Sequence, residues 1–151
     1  VAARPDGETV LAAFRKVVLD GIPRLADPSR AGVIAAARST IQASEGLRAR
    51  EREIVARYTA ELADVIAADT GARPHDPEPL AAAAALMGAQ RALVAFVHER
   101  VAAGESGPKL AAAARAQARR VFSLLGDGLG GYAARQGSAG RAARTAPPAP
   151  T

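Results

Sequence analysis

The chain has 151 residues, 49% of them hydrophobic, 23% charged and 3% aromatic, with no Cys, Trp or Asn. That length can bury a full core as one domain, the apolar content excludes a disordered chain, and the lack of Cys excludes disulfide scaffolds, Cys zinc sites and thiol catalysis. Of the formal charge of +5, Arg135, Arg141 and Arg144 in the last 17 residues account for three, so the body carries only +2 and offers no basic face for reading nucleic acid.

About a quarter of the residues are Ala, the strongest helix former, and the β-branched and aromatic runs that mark strands are missing, so an all-α bundle is expected. Turn residues cut the chain into five helical segments. The first is expected from about Glu8 to Leu25, with Val10, Leu11, Phe14, Val17 and Val18 on one stripe and a break or kink at Gly21 and Pro23. The second opens at Asp27-Pro28, a capping residue followed by proline, places Val33, Ile34, Ala37 and Ile41 inward, and stops near Ser44.

The third carries Leu47, Ile54, Val55, Tyr58, Leu62, Val65 and Ile66 as its inner stripe, with Glu53, Arg57 and Glu61 four apart outside, and ends at Gly71. The fourth runs from Asp76-Pro77 to about Ala103 and the fifth from Pro108 to about Ala134. Both are rich in small residues, at Ala81 to Ala85 with Gly88 and at Ala111 to Ala114 with Ala118. An alanine face gains little from burial at about 25 cal/mol per Å², so these helices are expected to recruit further neighbours across a two-fold axis. The dimer contacts assigned on this reading are Leu86, Leu93, Val97, Phe122, Leu125 and Leu129.

Residues 1–7 form a flank, 8–134 the domain, and 135–151 a basic Pro/Ala-rich tail with too little to bury, expected to be disordered. The longest uncharged run, Leu80 to Gln90, ends at Arg91, short of the roughly 18 residues of a membrane span. Val1 to Glu8 lacks the order of a signal peptide, so a cytoplasmic protein without membrane contact is expected.

Gly126-Asp127-Gly128-Leu129-Gly130-Gly131 matches the dinucleotide fingerprint G-x-G-x-x-G but follows a helix where that fold needs a strand, and reads as the end of the last helix. His98-Glu99 begins an H-E-x-x-H pattern whose second His is replaced by Ala102, and His75 sits in a Pro-rich turn, so no metal site is expected. Glu61 with Asp64, and Glu51 with Glu53, lie among arginines on a solvated face. No catalytic constellation is visible, no cofactor is implied, and the chain reads as a non-enzyme.

Polar residues interrupt the apolar stripes at Gln42, at Gln90 and Arg91, and at Gln117. The glutamines are read as bridges between helices and Arg91 as the partner of a carboxylate, or else a cavity is lined by Phe14, Ile41, Tyr58, Met87 and Val94 with Arg91 or Gln42 as its polar contact.

The segment Ala37 to Glu51, followed by Ile54 to Tyr58, Asp69-Thr70-Gly71 and Ala84 to Leu93, resembles the C-terminal domain of TetR/AcrR-type transcriptional regulators, especially actinobacterial, mycofactocin-regulator-like members. The similarity covers about Glu8 to Ala134. It implies a domain that binds a small effector within its helices and dimerises through its last two, in a protein that is usually a repressor. Family members carry a three-helix DNA-binding head of about 45 to 50 residues, which this chain lacks, so DNA would be met only through that head.

On this resemblance the chain is expected to be a homodimer holding a small apolar or acyl-type effector against Phe14, Ile41, Gln42, Tyr58, Met87 and Arg91. The rival readings are a ligand-free structural dimerisation bundle and, more remotely, an all-helical enzyme.

Overall fold

Five α-helices and one 3-10 turn build the chain in a computed structural model that describes residues 4–129. They are α1 (Val10–Leu25), α2 (Ala31–Ala43), α3 (Glu45–Thr70), α4 (Glu78–Ala102) and α5 (Gly107–Leu129), with the 3-10 turn at Pro28–Arg30. No strand occurs among the described residues, and the all-α expectation holds. The proposed end of the domain at Ala134, the tail from 135 and the last two glycines of the G-x-G-x-x-G match lie outside the described residues. Gly126 and Gly128 stand within α5.

Local chemistry sets the helix ends. The Thr9 hydroxyl accepts from the Ala12 N–H at 3.1 Å and caps α1, and Ser44 Oγ accepts from Leu47 N–H at 3.3 Å and caps α3. Asp27 accepts from both the N–H and the hydroxyl of Ser29, which holds its carboxyl below the ordinary value. Gly71 ends α3 in the left-handed region at φ 66°, and the Ala72 N–H closes back on the Ala67 carbonyl at 3.1 Å. Gly71→Ala should cost about 1 kcal/mol, read as a lower urea midpoint with an unchanged slope.

α1 does not break at Gly21 or Pro23; it continues through both to Leu25. Pro23 stands in the last turn, where a missing N–H removes a single helical bond, and its ring is exposed.

The core joins α1, the C-terminal half of α3, α4 and α5. Ile66, Ala83, Leu86, Val97, Leu110 and Phe122 are among its most buried members. Phe14 on α1 meets Phe122 on α5 with ring centroids 6.3 Å apart and planes tilted by 59°. The Gly107 N–H donates to the Ala26 carbonyl at 2.7 Å and ties the end of α1 to the start of α5. The N-terminal flank is also held: Arg4 is buried, pairs with Asp69 of α3 at 2.6 Å and donates to the Glu8 carbonyl at 2.9 Å.

Two expected inner faces are corrected. α2 contributes no fully buried residue: Ile34 and Ile41 are half-buried, whereas Val33 is 70% exposed and Ala37 is also exposed. On α3 only Leu62, Ala63 and Ile66 are buried, and Leu47 and Tyr58 are exposed. The reason is shared, because the first half of α3 pairs with α2 and so lies outside the main core. Its ion pairs, Arg50–Glu53 and Arg57–Glu61, are exposed and contribute little.

The four dimer contacts expected at Leu86, Leu93, Val97 and Phe122 are buried in the protomer's own core, where a second copy cannot reach them. Leu125 is half-buried against that core, and the side chain of Leu129 lies outside the described residues. α4 continues through Arg91 and is long and apolar enough, by length and composition, to cross a membrane; in the bundle it supplies Ala82, Ala83, Leu86, Leu93, Val97 and Val101 to the core.

Candidate functional site

Where α1, α2 and α4 meet, their side chains leave a groove of about 390 Å³. α1 lines it with Val17, Val18, Gly21, Ile22 and Leu25, residues that the helical repeat places on one face. α4 presents Gln90, Leu93, Val94 and Val97 at the same three-and-four spacing, Ile34 of α2 closes one side, and Ala114 of α5 contributes only a methyl. Val17, Arg24 and Arg30 are exposed and mark the mouth.

Two features make this wall suited to a ligand. Gly21 has ordinary helical geometry, and a Cβ there would meet nothing within 4 Å, so its missing side chain is room in the groove rather than a close approach of backbones. The polar groups are few and of one kind in charge: the guanidinium groups of Arg24 and Arg30 at the mouth and the neutral amide of Gln90, a donor and acceptor, on the wall. Aliphatic walls with a cationic mouth fit an amphiphile with an anionic or hydrogen-bond-accepting end.

A second depression of about 470 Å³ lies beside the end of α3 and the turn before α4. Its lining is mainly alanine and proline with Asp64, Arg73, His75 and Asp76, and offers little large apolar surface. His75 is exposed there with φ 72°, and the Arg73 N–H donates to Asp76 Oδ2 at 2.6 Å.

None of the six residues expected to hold an effector lines the groove. Phe14 is a core residue against Phe122, and Met87 is half-buried against the same core. Gln42 and Arg91 are exposed, with the Gln42 carbonyl accepting from Arg48. Tyr58 is 48% exposed beneath the Arg57 guanidinium, 5.4 Å from its ring centroid, and Ile41 is half-buried on α2. Of the residues named for the wider cavity, Val94 borders the groove, and so does Gln90, which was expected as a bridge between helices. Arg24, Arg30 and Gly21 were missed, since a glycine inside a helical pattern reads as a breaker and gives no sign of facing space.

One cross-helix polar contact stands beside the groove. Arg38 Nη1 of α2 lies 3.0 Å from His98 Nδ1 of α4. A guanidinium can only donate, so Nδ1 accepts and the imidazole proton sits on Nε2. Burial, and then the Arg38 charge, hold His98 below the ordinary imidazole value of 6.5, while Glu51 of α3 acts the other way.

Comparison with protein-family models, with curated proteins and with solved structures gives no match to this chain.

Proposed function

We propose that the chain is the effector-binding and dimerisation domain of a TetR-type transcriptional regulator, with a small, mainly aliphatic molecule seated in the groove between α1, α2 and α4. The observation that carries this reading is the groove itself, with its aliphatic walls, the space beside Gly21 and two arginines at its mouth. In this reading a DNA-binding head is attached ahead of α1. α1 supplies the largest share of the lining, and the helix is anchored by the Ala26–Gly107 bond at one end and near the Arg4–Asp69 pair at the other. An occupant that favours one spacing of α1 against α4 shifts the arrangement of the heads by its differential affinity for the two spacings.

The surface proposed for the second copy is the exposed small-residue face of α4 and α5, at Ala81, Ala84, Gly88 and Ala92 and at Ala112, in place of the buried leucines. Backbones approach closely over such a face, and an arginine there blocks them. Gly88→Arg, which enters open space within the protomer, should leave the circular dichroism spectrum unchanged and shift the sedimentation coefficient from dimer to monomer.

Native mass spectrometry of the purified chain tests the function as a whole. The expected result is a dimer that carries a co-purified molecule released on collisional activation; a monomer with nothing bound at every concentration counts against the proposal.

A further inference from the structure

The contact between Arg38 and His98 occupies a particular place relative to the groove. Ile34 and Arg38 are four residues apart on α2, and Val94 and His98 are four apart on α4. A four-residue step returns to the same helix face about 6 Å further along the axis. The polar contact is therefore the next layer beyond the Ile34 and Val94 walls, joining the same two helices.

α2 depends on it more than an ordinary helix depends on one surface bond. No α2 residue is fully buried, so its attachment rests on half-buried Ala31, Ile34, Arg38 and Ile41. Elements with so little buried apolar surface open locally at a small free-energy cost. We infer that the Arg38–His98 contact is a proton-sensitive latch that fixes the α2 wall of the groove and releases it when His98 takes up a proton.

The chemistry is directional. Protonation of Nδ1 removes the only acceptor in the pair and leaves two cations 3.0 Å apart. Glu51 of α3 is the opposing charge acting on His98. Arg24 on α1 and Arg30 in the 3-10 turn border the same groove and share the sign of Arg38, and α5 contributes only Ala114. Because the folded state lowers the affinity of His98 for a proton, its contribution to holding α2 is complete above 6.5 and is lost as pH falls through the folded value.

In the whole chain, long-range imidazole nitrogen–proton spectra should find His98 protonated on Nε2 at pH 7.5 and titrating below the ordinary imidazole value of 6.5. Hydrogen exchange of α2 amides, corrected for intrinsic rates, should accelerate about tenfold between pH 7.5 and 5.5, the expectation for losing one hydrogen bond to a charged group, while α5 stays protected. His98→Asn keeps an acceptor near the Nδ1 position and should abolish the acceleration; Arg38→Gln should raise the His98 titration.

A His98 that titrates at or above the ordinary imidazole value, or α2 exchange that accelerates equally in His98→Asn, would overturn the latch. The link to ligand control rests on the proposed use of the groove, which decanoate binding at pH 7.5 tests separately. Failure of decanoate to bind would sink the groove reading, whereas the exchange profile judges the latch.

Discussion

Gly21→Leu should abolish decanoate binding and leave the protein at least as stable as before. The ten-carbon carboxylate matches an aliphatic groove with arginines at its mouth, and a leucine at position 21 projects into the space that it would occupy. An added Cβ meets no atom within 4 Å, so the new side chain displaces the ligand without displacing the fold. Affinity should fall at least about a hundredfold, equivalent to about 2.7 kcal/mol. Replacing glycine inside a helix adds up to about 1 kcal/mol of stability by propensity alone. Gly32→Ala, exposed on α2 and facing open space, should also stabilise the helix with binding intact. Isothermal titration calorimetry with decanoate, paired with urea unfolding, separates the two effects.

The second large effect is expected at Phe14. Truncation of a buried Phe to Ala costs about 3–5 kcal/mol, a large share of the roughly 5–15 kcal/mol by which a domain is stable. The chain has only three Phe, and the core that holds Phe14 and Phe122 is rich in Ala, including Ala83, Ala114 and Ala118. A methyl cannot swing into the void that a lost ring leaves. Phe14→Ala should therefore lower the urea midpoint sharply, and Phe122→Ala nearly as much. A double-mutant cycle should return a coupling of about 0.5–1.5 kcal/mol for the ring pair. A midpoint shift in Phe14→Ala below that of an exposed control such as Val33→Ala would contradict its place in the core.

The helix boundaries were legible because they depend on local chemistry. Ser44 and Gly71 act through their own backbone and the next three residues, so the sequence carries the whole cause, whereas Asp27-Pro28, expected to open α2, caps the 3-10 turn Pro28–Arg30 and α2 starts at Ala31. Burial was legible only where the helix is covered by the main core. Val10, Phe14, Leu62 and Ile66 fell inward as periodicity predicted, whereas Val33, Leu47 and Tyr58 are apolar or aromatic residues on segments with too little covering them. Periodicity finds the stripe and is silent on whether a neighbour reaches it.

The same silence explains why the residues expected at an interface and a site lie in the core or on the open surface of the protomer. Leu86, Leu93 and Val97 share α4 with the small residues Ala81, Ala84 and Gly88, and both kinds of face are expected at contacts between helices. In the protomer Leu86, Leu93 and Val97 face the core together with Ala82, Ala83 and Ala89, while Ala81, Ala84 and Gly88 stay exposed. For the site, the polar residues at Gln42 and Arg91 were conspicuous in sequence, yet both face solvent. Gln90, one position from Arg91, turns 100° around the helix and borders the groove.

On the proposed function, the space between α1, α2 and α4 holds an aliphatic molecule. Methyl-resolved NMR of the chain titrated with decanoate at pH 7.5 tests it most directly. Saturable shifts should concentrate at Val17, Val18, Ile22, Ile34, Val94 and Val97, with intermolecular contacts from the same methyls to the chain of the ligand. Shifts confined to residues remote from Gly21, such as Val55 and Leu80, or no saturable shift at all, would contradict it.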